Sequence, residues 1–168
     1  MSSNLHGASV GVFVQYLTSL SVILKKAEAS AAARKIDPQV FVTARIAPDM
    51  FPLARQVQIA TDHAKGASAR LAGADIPAFA DTEASFEELQ QRIGKTLDFI
   101  RSLPREKFEG SAERDVTLTL AGQKFTWTGA AYLHNFAAPN FFFHMTTAYN
   151  ILRHNGVDVG KRDFIGGF

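Results

Sequence analysis

The chain contains no cysteine. Disulfide stapling, thiolate metal sites and a thiol nucleophile within the protein are thereby excluded. A strong charge of one sign is also missing. Lys and Arg number 18 against 16 for Asp and Glu, a formal charge of +2. The basic residues are scattered and form no stripe interleaved with aromatics, so nucleic acid is not an expected partner. The N-terminus lacks a positive region followed by an apolar core and a small-residue cleavage site, so no secretory signal is expected. No run approaches the roughly 20 consecutive apolar residues of a bilayer-spanning helix. A soluble, cytoplasmic protein of bacterial type with no membrane partner is the expectation. Phosphate-binding glycine loops and Gly-x-Ser-x-Gly elbows are absent as well, which leaves a hydrolase triad unsupported.

What is present is an aromatic, helix-patterned chain. Apolar residues make up 46% of the 168 positions and phenylalanine alone accounts for 14, enough for one full core and no need of two. A single domain over residues 1–168 is therefore expected. Val10, Phe13, Leu17, Leu20 and Leu24 recur at three- and four-residue steps, predicting a first long helix from about Ala8 to Ala33. Asp37-Pro38 reads as an N-cap and first helical residue, opening a short helical piece through Phe41. Leu53, Val57, Ala60, Ala64, Ala67 and Leu71 form the stripe of a second long helix. Pro52 is expected in its first turn, and Gly73 marks its end. Ser85-Phe86-Glu87-Glu88 resembles a capping box at the start of a third, with Phe86, Leu89, Ile93, Leu97 and Ile100 as its buried face.

The pattern then switches to a period of two. Val116, Leu118 and Leu120 alternate with threonines, Ala121-Gly122 suits a turn, and Phe125 and Trp127 alternate on the return. A small β-hairpin packed against the helices through Trp127 is predicted. A fourth helix should span roughly Gly129 to Asn155, with Pro139 either kinking it or marking its true start. Lys161, Arg162 and Phe164 should fold back on the surface.

Chemistry concentrates on the second and fourth long helices. Asn140, His144, Thr147, Ile151 and His154 share one edge of the fourth, and Gln56, Ala60, His63 and Ala67 share one of the second. Packing of the two helices would set His63 or Gln56 opposite Asn140 and His144. A histidine among apolar neighbours such as Phe141 and Met145 must find a partner, which is either a metal or a hydrogen bond. Metal candidates are His144, His63 and Asn140, although neutral asparagine is a weak ligand for zinc or nickel. Arg45, Arg55, Gln56 and Asp62 are candidates for holding substrate. The arginines suit a carboxylate or phosphate, and the competing reading is solvated ion pairs around the start of the second helix.

The segments Ala44-Arg45-Ile46-Ala47-Pro48-Asp49-Met50-Phe51-Pro52-Leu53, Gln56-Val57-Gln58-Ile59-Ala60 and Ala64-Lys65-Gly66 form one signature. Pro139-Asn140-Phe141-Phe142-Phe143-His144, Ala148-Tyr149 and Leu152-Arg153-His154-Asn155-Gly156 form another. Together they resemble an uncharacterised bacterial family of unknown function within the DinB-like superfamily of four-helix bundles. The resemblance implies an all-α, up-down-down-up bundle with the small β-hairpin before the last helix, and a homodimer. In many members it also implies a divalent metal on three histidines, and in some a transferase or isomerase using low-molecular-weight thiols. In that pattern one histidine stands on the second helix and a His-x-x-x-His pair on the fourth. Here Asn140 occupies the first position of the pair and His144 the second, so the pair is broken. Two functional classes follow. One is a dimeric, non-catalytic bundle with an altered site, in which Asn140 and His144 bond to each other or to Asp62. The other is a metal-dependent (Zn or Ni) small-molecule transferase or isomerase acting on an anionic or thiol ligand.

Overall fold

The computed structural model describes residues 4–167. Four long helices carry most of its core. α1 (Val12–Arg34) follows a π turn at Gly7–Gly11. A short α2 (Pro38–Val42), capped by the Asp37 carboxylate on the Gln39 amide, leads to α3 (Leu53–Ala72). α4 spans Phe86–Arg101, its first turn capped by the Ser85 hydroxyl on the Glu88 amide. A single turn of 3₁₀ helix at Arg105–Phe108 precedes the hairpin β1 (Asp115–Leu120) and β2 (Gln123–Thr128). The chain ends in α5 (Gly129–Tyr132), a π turn at Leu133–Ala137, α6 (Ala138–His154) and α7 (Lys161–Ile165). Packing runs α3 against α6 and α4, and α1 against α4, α6 and α7.

The helices form where the apolar periodicity places them. All six residues of the α3 stripe are buried, and so are Phe13, Leu17, Leu20 and Leu24 of α1. By length and composition alone the helix from Gly7 to Arg34 is apolar enough to cross a membrane, a test that the core helix of a bundle also passes. Its apolar face lies in the common core beside Phe41, Phe141 and Leu152. α3 ends at Gly73 in the left-handed conformation (φ 63°), where glycine carries no Cβ penalty.

One boundary differs from the sequence reading, and two helices contain a π turn. Pro52 is not in the first turn of α3 but precedes it, extended, with its carbonyl accepting from the Gln56 amide at 3.0 Å. The helix expected from about Ala8 opens in the π turn. The last helix runs without a break from Gly129 to His154, as expected, but widens into a π turn at Leu133–Ala137. Pro139 cannot donate a backbone hydrogen bond and its ring crowds the preceding turn, and the π turn lies directly upstream, so α6 proper starts at Ala138.

The hairpin register pairs Val116 with Trp127 and Leu118 with Phe125. Ala121 (φ 49°) and Gly122 (φ 81°) both take positive φ, as a two-residue type I′ turn requires. Trp127 stacks on Phe136 at 5.6 Å between ring centroids and thereby docks the ribbon on the helices. α7 is held to α1 by Phe164 against Tyr16 at 5.5 Å and by the Gln15 amide donating to the Ile165 carbonyl at 2.9 Å.

One buried cation fixes the long connection between α3 and α4. Arg92 on α4 is 2% exposed. Its Nε donates to Thr61 Oγ1 at 2.7 Å, and its Nη atoms reach Asp62 at 2.9 Å, Asp81 at 3.0 Å, Glu83 at 3.0 Å and the Ala80 carbonyl at 3.0 Å. Asp81 also pairs with Arg55, and Gln58 donates to Glu83 at 3.0 Å. The planar guanidinium has five donors in a fixed fork, and here it ties three segments to one point.

Candidate functional site

α3 and α6 meet at a site built around His144. The Gln56 side chain is buried, and its Nε2 donates to the Phe51 carbonyl at 3.0 Å. A backbone carbonyl can only accept, so this contact fixes which end of the amide faces Phe51. Gln56 Oε1 is then left pointing at His144 Nδ1, 2.7 Å away. That oxygen accepts only, so the proton of the neutral imidazole sits on Nδ1 and Nε2 carries the free lone pair. Sequence reading placed Gln56 opposite His144 among other registers but assigned it to substrate. Its observed contacts are the imidazole and the loop before α3.

Around this pair the rings are close-set. His63 stacks on His144 at 6.1 Å with 14° between planes and meets Phe136 edge-on at 5.9 Å. Phe143 stands edge-on to His144 at 5.2 Å. Phe143 is 55% exposed, and Phe51, 53% exposed, lies under the Arg55 guanidinium at 5.9 Å. His144 itself is half-buried, turned towards α3 where it meets the buried Gln56 side chain.

The electrostatics favour neutral rings. Burial, then the neighbouring His63, then the Arg55 cation, lower His144 from its ordinary 6.5 to about 4. His63 is also lowered. Burial is the largest cause, Asp62 acts against it, and Arg70 reinforces it. Both groups therefore bind protons less readily folded than unfolded, and stability is complete above about 6.5. As pH falls from there towards 4, the unfolded chain takes up protons that the native rings refuse, and stability drops. Urea midpoints measured from pH 7 to 5, above the main carboxylate range, should fall with acid in the wild type. They should fall less steeply in His144→Leu. Equal slopes would mean that His144 titrates normally.

The other sequence candidates lie elsewhere. Asn140 donates its side-chain amide to the Phe136 carbonyl at 2.7 Å, the carbonyl one turn back. It does not bond His144, and neither does Asp62, so the expected Asn140–His144 or Asp62 pairing is replaced by Gln56. Asp62 belongs to the Arg92 cluster and also pairs with Lys65 at 3.0 Å. Arg55 is held by Asp81 and by Gln58 at 3.1 Å. Arg45 is exposed and donates to the Met50 carbonyl at 2.6 Å, bracing its own loop. The arrangement thus joins His144, His63 and Gln56, while the charged candidates are engaged in structure. Arg92 escaped sequence reading altogether. Its signal was position, three residues after Leu89 and four before Thr96, a lone arginine on a buried stripe downstream of Asp81 and Glu83.

The donor set does not fit a three-histidine metal. Two imidazoles and the weak Asn140 amide oxygen are what the site offers, because Gln56 is bonded at both ends. Among the described residues no group of three His, Cys, Asp or Glu side chains converges.

Comparison with known proteins bears on this geometry. Residues 5–165 match the model of a family described as a domain of unknown function, DUF1993. The crystal structure of a DinB family member protein from Shewanella denitrificans is similar, with a TM-score of 0.89 and 40% sequence identity. The match covers 98% of this chain and 93% of that one. No curated protein matches.

Proposed function

This chain belongs to the DUF1993 family and is folded like a DinB family member, and from that premise we propose that it is a small-molecule-binding bundle whose α3–α6 site is altered from metal ligation to recognition by a neutral imidazole. One observation carries the proposal. Gln56, anchored on the Phe51 carbonyl, holds His144 Nδ1–H and leaves Nε2 as the acceptor, with the exposed Phe143 ring edge-on to the imidazole. A ligand suited to that surface is largely apolar and donates one hydrogen bond, from a hydroxyl, amine or thiol.

Proton affinity decides between binding and base catalysis. A general base works best with a pKa near the operating pH. With His144 held near 4, taking a proton at pH 7 is uphill by about 4 kcal/mol. The same nitrogen accepts a hydrogen bond without that cost. The metal-dependent transferase reading draws support from the parallel rings of His63 and His144, but it lacks a third donor. Metal content of the purified protein, with His144→Ala as control, separates the two. Below about a tenth of an equivalent after zinc or nickel supplementation is expected in both proteins. A full equivalent lost in the variant would establish the metal site.

The proposal extends to assembly and course. Exposed Val40, Ile46, Phe51 and Phe143 supply apolar surface suited to a homodimer. Light scattering that finds only monomer at micromolar concentration would refute it. The connection from α3 to α4, residues 73–85, is long enough for those helices to run parallel, which supports an up-down-down-up course.

A further inference from the structure

The charge balance around Arg92 leaves one cation over. Asp62, Asp81 and Glu83 are matched by Arg92, Arg55 and Lys65. Arg70, farther along α3, pairs with no carboxylate among the described residues, and its Nη1 reaches only the Tyr132 hydroxyl at 3.3 Å. Glycine lets it lie there. A Cβ at Gly66 would stand 2.6 Å from that Nη1, so the guanidinium crosses α3 through space that other residues would fill. A last-turn arginine complements the helix dipole, which explains the charge but neither the glycine beneath it nor the cavity beside it.

That cavity is a shallow groove open to solvent, with a volume of about 330 Å³. Lys65, Gly66 and Arg70 make one wall, and Ile76, Pro77 and Phe79 the other. The Lys65 ammonium is buried, bonded to Asp62 and seated over the Phe79 ring at 4.1 Å, which fixes the apolar wall. Asp62 also lines it, a carboxylate 39% exposed and paired with Lys65 and Arg92. It opposes a doubly charged anion, whereas one uncompensated guanidinium suits a single carboxylate, which it meets with two parallel hydrogen bonds.

We propose that this cavity binds a small molecule bearing one carboxylate on a flat apolar body, with the carboxylate on Arg70 and the body against Pro77 and Phe79. The site uses neither His144 nor Gln56, although its Asp62 and Arg70 both act on the charge of His63.

The test is titration of the isotope-labelled full chain with benzoate, using benzyl alcohol as a neutral probe of similar shape and following amide shifts. Benzoate should saturate at about ten millimolar or below, with shifts at 62–70 and 76–79. Benzyl alcohol should bind at least about tenfold more weakly. Arg70→Gln should lose about the same factor, and His144→Leu should bind benzoate unchanged. Gly66→Ala, which keeps the charge but displaces the guanidinium, should also weaken binding. Shifts that fail to saturate, that map elsewhere, or that match between benzoate and benzyl alcohol would overturn the proposal. That last comparison needs only the wild-type protein.

Discussion

Arg92→Ala is expected to lower stability by about 3 kcal/mol, with a fall in melting temperature of roughly 10 °C for a chain of this size. Removing one member of a buried ionic cluster usually strands the others in low dielectric. Here the stranded groups differ in how well water can reach them. Asp62 and Asp81 are 39% and 37% exposed and rehydrate in part, whereas Glu83 is 13% exposed and does so least. That places the cost at the lower end for a broken buried pair, to which the emptied side-chain volume adds. Arg92→Lys should recover less than half. A single ammonium cannot reach Thr61, Asp62, Asp81, Glu83 and the Ala80 carbonyl from one position. Urea unfolding of the three proteins at pH 7 measures this. A loss under about 1 kcal/mol would show that the 73–85 connection is held by other contacts.

Gly129→Ala should be of comparable severity, about 2–4 kcal/mol. A Cβ there would stand 1.9 Å from the Ser111 carbonyl oxygen and 2.9 Å from Leu71 Cδ2. The obstacle is backbone, and that backbone is pinned, since the Ala112 carbonyl accepts from the Ala130 amide at 3.0 Å. Relief therefore requires the segments at Ser111 and Gly129, which flank the hairpin, to move apart. Gly66→Ala is the informative contrast. Its clash is with the tip of Arg70, a flexible side chain that can swing out, and alanine is the better helix former by about 1 kcal/mol. Thermal melts should show Gly129→Ala strongly destabilised and Gly66→Ala near or above the wild type. Similar melts for the two glycine variants would mean that the Ser111–Gly129 approach is not tight.

The contrast between these positions also explains what the chain discloses in one dimension. The α3 stripe from Leu53 to Leu71 was legible because burial of one helix face repeats every three or four residues. Val116 to Trp127 was legible because a ribbon repeats every two. Pro139 announced a disturbance but not its form. Whether a proline kinks a helix or begins it depends on whether the preceding turn widens, and here it widens into a π turn. His144 was legible as a histidine needing a partner. That the partner is Gln56 and not Asn140 depends on how α3 crosses α6, which no local spacing encodes. Arg92 and its carboxylates are spread over residues 62 to 92 and converge only once the connection folds back.

The central claim is that His144 is a neutral acceptor oriented by Gln56, and histidine ¹⁵N chemical shifts report it directly. Long-range ¹H–¹⁵N correlation at pH 7 should show the Nδ1-protonated tautomer for His144 and an unprotonated Nε2. Neutrality should persist on acidification to about pH 5, because the folded value lies near 4. Gln56→Leu should release the ring to a mixture of tautomers, and added zinc should leave the Nε2 resonance of the wild type in place. An Nε2-protonated tautomer, a titration midpoint at or above the ordinary 6.5, or a stoichiometric zinc-induced shift at Nε2 would contradict it.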